Sequence, residues 1–101
     1  MLFHIAGPAR RELVRDTAWY EQRQEGLGHQ FLEAVRQALQ RVANQPDSYP
    51  KEDTARWRRE IRRCPVFDFP YQVIFEVRFQ EVFVLAVAHN ARRPGYWSRR
   101  R

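Results

Sequence analysis

Arg58, Glu60 and Arg62 alternate along one short stretch, so an extended backbone would set a carboxylate between two guanidinium groups on a single face. A carboxylate so placed can accept a proton while its neighbours clamp a phosphate. The same three residues would equally satisfy one another as a solvated ion-pair row of low net value. His89 has the ordinary pKa for acid–base work, or it holds the turn that follows it by a backbone hydrogen bond. Tyr96 and Trp97 offer rings for stacking on a base, or an anchor that pins the end of the chain to the body. Cys64 stands before Pro65 among arginines that would lower its thiol pKa, yet it lacks a second cysteine or a histidine partner and reads as structural.

These groups sit within a wider pattern of charge. Ten of the seventeen arginines fall in two stretches, Arg56 to Arg63 and Arg92 to Arg101. Residues 1–50 carry six basic and six acidic side chains, so the whole net charge of +6 belongs to residues 51–101. The single lysine, Lys51, shows a preference for arginine as the cation but does not explain the uneven placement. A body that displays guanidinium groups this way suits phosphates or an acidic protein surface. The expected target or nucleic-acid contact set is Arg58, Arg59, Arg62, Arg63, Arg78, Arg92 and Arg93, with Tyr96 and Trp97. Arg78, beside a turn, has the plainer reading of a solvated hairpin residue. The whole expectation carries a physical condition: the arginines must face one side and not be consumed internally by carboxylates.

At 101 residues the chain suits one domain over residues 1–98, followed by a basic tail, 99–101, expected to be disordered. Hydrophobic residues at 44% and aromatics at 14% exclude a disordered basic polypeptide, so the charge rides on a folded core. One cysteine allows no internal disulfide and no zinc set; a reduced interior, no metal and no cofactor are expected. The chain turns polar directly after Met1 to Ile5, unlike a signal peptide, and no apolar run approaches the ~18–20 residues of a membrane span. A soluble cytoplasmic protein is expected.

The elements that must position these groups follow from periodicity. Phe3 to Ile5 reads as a short strand closed by Gly7-Pro8, and Pro8 suits the first turn of a helix. Ala9, Leu13, Thr17 and Tyr20 then recur at helical spacing, with Arg10, Arg11, Glu12 and Arg15 turned outward. Val14 and Trp19 lie off that stripe, marking a contact surface or widening the stripe. Gly26-Leu27-Gly28 breaks the helix, and Phe31, Val35, Ala38, Leu39 and Val42 line one face of a second. So short a break predicts an antiparallel helical hairpin. Residues 46–56 read as a loop. From Trp57 the period becomes two, and Val66 to Phe69 is a bend between Pro65 and Pro70. Tyr71 to Val77 alternates, Gln80-Glu81 turns, and Val82 to Ala88 is a strand buried on both faces. The order β-α-α-β-β-β specifies an α+β domain with the hairpin on one face of a small curved, mainly antiparallel sheet.

Taken in order, several of these elements resemble one family. They are the helical hairpin with Tyr20 and Gly26-Leu27-Gly28 before Phe31, Pro46 after the second helix, and the arginine-rich strand. Phe69-Pro70-Tyr71, the strand ending at His89, and Arg92-Arg93-Pro94-Gly95-Tyr96-Trp97 complete the set. The set, which covers nearly the whole chain, is similar to toxins of bacterial type II toxin–antitoxin pairs in the RelE/ParE superfamily. The resemblance implies growth inhibition, and a cognate antitoxin whose partly disordered, acidic segment orders on the toxin. It also implies one of two activities. RelE-like members cut mRNA on the ribosome, which would use Glu60 as base, Arg62 on the phosphate and His89 as acid. ParE-like members poison DNA gyrase without hydrolysis. The long hairpin, roughly Pro8 to Gln45, and the extension beyond His89 favour the ParE-like branch. A non-toxic binding module of the same fold is the third reading.

Overall fold

Pro8 in the first turn and the αL turn at Gly26 set where the helices begin and part. The computed structural model describes residues 2–52 and 59–100. Along the chain these form β1 (Leu2–Ile5), α1 (Gly7–Arg23), α2 (Leu27–Asn44), a 3-10 turn at Pro46–Ser48, β2 (Ile61–Pro65), β3 (Tyr71–Arg78) and β4 (Glu81–His89). The α+β arrangement and its order are those the periodicity predicts. Trp57, expected to open the arginine-rich strand, lies outside the described residues, as do Arg56, Arg58 and Arg101.

Gly26 has φ +85°, a value that favours glycine. At Gly28 the reason is space: a Cβ would lie 2.7 Å from the Thr17 carbonyl oxygen and 2.9 Å from the Glu21 side chain. The two helices therefore cross almost in backbone contact. Glu21 uses that proximity, accepting hydrogen bonds from the N–H groups of Gly26 and Gly28, each at 2.9 Å. A carboxylate from α1 thus serves the otherwise uncapped N-terminus of α2.

The sheet order is β1-β4-β3-β2, with β1 parallel to β4 and the other pairs antiparallel. Phe31, Val35, Ala38 and Val42 of α2 are fully buried against Cys64, Val73, Phe75, Val82 and Val84, each large side chain contributing about 1.5–3 kcal/mol. Leu39, expected in that stripe, is half-buried at its edge. Tyr20, Phe31, Phe69 and Tyr71 close one end of the core, with ring centroids 4.7–6.2 Å apart. They are the aromatics that carry the sequence resemblance.

The register of β4 shifts between Ile74↔Ala86 and Phe75↔Val84, leaving Leu85 as a bulge. Leu85 and Ala86 consequently join the same cluster on the sheet's second face, with Ile61, Ile74, Ala88 and Trp97. Among the described residues no helix covers this face; the chain beyond His89 packs on it through Trp97. Among the described residues no helix is long and apolar enough to cross a membrane.

Candidate anion-binding site at the C-terminal segment

β1 pairs with β4 only as far as Val84, so the outer edge of β4 beyond that point needs other partners. Glu12 of α1 supplies them. Its Oε1 accepts from the Val87 N–H at 3.2 Å and from Arg100 Nη1 at 2.8 Å, and its Oε2 accepts from the Tyr96 hydroxyl at 2.6 Å. Arg100 also donates to the carbonyl of Leu85, the bulge residue, at 3.1 Å. Glu12 is only 4% exposed. The expectation that it turns outward is therefore corrected: one helical turn from Ala9 it lies on the inner flank, and an open strand edge gives its carboxylate buried donors. Arg100, expected in a disordered tail, is held from two sides.

Arg59 fixes the same segment from across the second face. It donates to the carbonyls of Ser98 (2.6 Å) and Arg100 (2.7 Å) and to Glu76 (2.8 Å). Burial pushes the Glu76 carboxyl up, but hydrogen bonds from Arg59 and Arg78 outweigh it and hold the group below its usual range. Trp97 is 1% exposed in the second cluster. Its packing role is the one the structure shows, because no face remains for stacking. Burial, then the Glu12 hydrogen bond, pushes the Tyr96 phenol up. The Tyr96 ring also lies 3.9 Å from the Arg92 guanidinium and 4.9 Å from that of Arg100.

The remaining sequence-predicted residues divide sharply. Arg62 pairs with Glu60 at 2.9 Å and donates to the Asp47 and Tyr49 carbonyls. Arg63 pairs with Glu52. Arg78 pairs with Glu76 at 3.1 Å and lies over the Phe83 ring. Arg59, Arg62, Arg63 and Arg78 are thus tied to carboxylates, and the condition that they be displayed is not met. For Arg59 and Arg62 the reason is desolvation, since a guanidinium that is largely covered needs a compensating charge; Arg78 is exposed and pairs with Glu76 from the surface. The side chains of Arg93 and Arg99, by contrast, have no hydrogen-bond or ion-pair partner among the described residues. Arg92 approaches Glu12 only to 4.0 Å. Arg58 lies outside the described residues.

Glu60, Arg62 and His89 are not brought together. Ile61 opposes Glu76 and His89 opposes Tyr71, positions separated by roughly 17 Å along β3. His89 Nδ1 accepts from the Ala91 N–H at 3.0 Å, the turn-holding role, which leaves Nε2 to carry the ring proton.

His89 nevertheless lies where several of the other candidates do converge. Arg63, Gln72, His89, Asn90, Arg92 and Arg93 wall a recess of about 120 Å³ over Trp97, on the second face. On the far side of the molecule, Val14 at 71% and Trp19 at 49% are the exposed apolar residues that the helical spacing singled out. Val14 edges an apolar groove between α1 and α2 with Leu13, Ala18 and Leu32. Among the described residues no three His, Cys, Asp or Glu side chains are grouped to hold a metal ion.

A family model described as the ParE toxin of type II toxin-antitoxin system, parDE, matches residues 4–94. A search of curated proteins found no match to the chain.

Proposed function

The chain belongs to the ParE toxin family of type II toxin–antitoxin systems, and we propose that it arrests growth by disabling DNA gyrase until a cognate antitoxin neutralises it. The setting is the cytoplasm, where gyrase works. The observation that carries the choice of target is the separation of Glu60 and Arg62 from His89. General acid–base cleavage of RNA requires a base at the 2′-OH and an acid at the leaving oxygen, both within hydrogen-bond reach of one phosphate. A carboxylate paired with Arg62, on the residue next to Ile61 and so about five β3 positions (roughly 17 Å of backbone) from His89, does not meet that requirement. What the chain offers instead is a fixed surface, its C-terminal segment tied down by Glu12, Arg59 and Trp97.

The antitoxin's part follows from charge. A +6 chain is neutralised by a partner that brings carboxylates, and a segment that orders on binding can cover a wide surface. The test pairs two assays on the purified chain: supercoiling by gyrase and mRNA integrity during translation in vitro. Loss of supercoiling with intact mRNA is expected. Ribosome-dependent cleavage with normal supercoiling reverses the assignment, and normal growth on expression of intact protein removes the toxin reading itself.

A further inference from the structure

We propose that the recess beneath Arg92 and Arg93 holds a single phosphate group of a nucleic-acid backbone, recognised by charge and shape without reading the base. The inference rests on the gyrase reading in one respect only, that the phosphate belongs to the DNA on which the target acts.

Arg63 is paired with Glu52, but other donors around the recess are open. His89 uses Nδ1 as an acceptor, so its Nε2–H is the free donor of the ring. The Arg93 guanidinium has no hydrogen-bond or ion-pair partner among the described residues. Arg92, at 4.0 Å from Glu12, is beyond hydrogen-bond distance and keeps its N–H groups. The nearby carboxylates are committed elsewhere, Glu12 to Val87, Tyr96 and Arg100 and Glu52 to Arg63. Positive charge is left in excess at the mouth, with Gln72 and Asn90 amides beside it.

Size and chemistry choose the ligand. A recess of about 120 Å³ has room for several waters and so for a phosphate group. The open donors come from the end of β4 (His89) and the turn that follows it (Arg92, Arg93), two guanidinium groups and an imidazole N–H that suit an oxyanion. Base stacking is unavailable, because Trp97 is buried and Tyr96 is committed to Glu12 and to two guanidinium groups. A net charge of +6 steers a polyanion toward the site.

The test is fluorescence anisotropy of a labelled duplex DNA with the full chain and three variants, across a salt series. Arg93→Ala should bind about tenfold more weakly, whatever the duplex sequence, with a salt slope smaller by about one. His89→Asn keeps an acceptor for the Ala91 N–H but removes the Nε2 donor, and should weaken binding several-fold. Arg36→Ala, which removes an exposed cation of α2 already paired with Glu33, should cost much less than Arg93→Ala. DNA affinity unchanged by both Arg93→Ala and His89→Asn overturns the proposal. So does a chain that ignores DNA but loses affinity for gyrase protein alone on Arg93→Ala. A gyrase assay on the same proteins separates the two claims. DNA binding that depends on Arg93, with no effect on supercoiling, keeps the recess and removes the gyrase reading. Inhibition that is equal in wild type and Arg93→Ala keeps the gyrase reading and removes the recess from it.

Discussion

Around β2, Arg59 lies against Glu76, Arg62 against Glu60 and Arg63 against Glu52; beyond β4, Arg93 and Arg99 meet no carboxylate among the described residues and Arg92 only approaches one. Both stretches are equally rich in arginine. The first runs through a covered part of the sheet, where a guanidinium left without compensation would be costly, so each of the three has an acid beside it. In the second, which packs over the sheet, Arg92, Arg93 and Arg99 are exposed and have no such need. Composition measures how many cations a chain carries, whereas the distribution of acids in space decides how many remain for a partner. Arg100 marks the boundary, because it belongs to the second stretch and behaves like the first.

That contrast can be broken by substitution, and the largest effect should come from Glu12→Ala. It strips the acceptor from the Val87 N–H, the Tyr96 hydroxyl and Arg100 together, and should cost about 3–5 kcal/mol in urea unfolding. A cost under about 1 kcal/mol would mean that Glu12 does not hold the C-terminal segment. Next comes Arg59→Ala, which frees two carbonyls of that segment and leaves Glu76 with Arg78 alone. About 2–3 kcal/mol is expected, together with faster amide exchange over Ser98–Arg100.

The third effect is on pH. Glu76 titrates below its ordinary 4.5 when folded, so the unfolded chain takes up its proton first as pH falls. The stabilisation is complete above 4.5 and is lost as pH drops through the lower folded value. Melting temperature should fall across that acid range, and Glu76→Gln should flatten the slope; an unchanged slope would place the acid sensitivity elsewhere. The smallest effects belong to the open cations. Arg93→Ala and Arg99→Ala should leave stability within about 0.5 kcal/mol of wild type. A loss well beyond that would show that these arginines too are consumed, and the contrast between the stretches would vanish.

Much of the fold was legible because it follows from local periodicity. Phe31, Val35, Ala38 and Val42 recur at helical spacing, and all four are buried. Gly26-Leu27-Gly28 signalled a tight hairpin, which the φ of Gly26 and the close crossing at Gly28 require. The site was legible only in part. Arg63, His89, Arg92, Arg93, Tyr96 and Trp97 share one recess, as members of a longer list of candidates. Glu12 was missed because a glutamate beside Arg10 and Arg11 looks like any solvated helix position. Its three-residue offset from Ala9 was the available signal.

The sequence by itself determined the order of elements, the core stripe of α2, the excess of positive charge and the resemblance to the family, since each is written in spacing or composition. Tertiary structure alone decided that Glu12 faces inward, that Leu85 bulges, that Trp97 packs rather than stacks, and which arginines stay open. Those outcomes depend on pairs such as Glu12 and Tyr96, far apart along the chain. Their energies come from removing charge and hydrogen-bonding groups from water together, which no local pattern records.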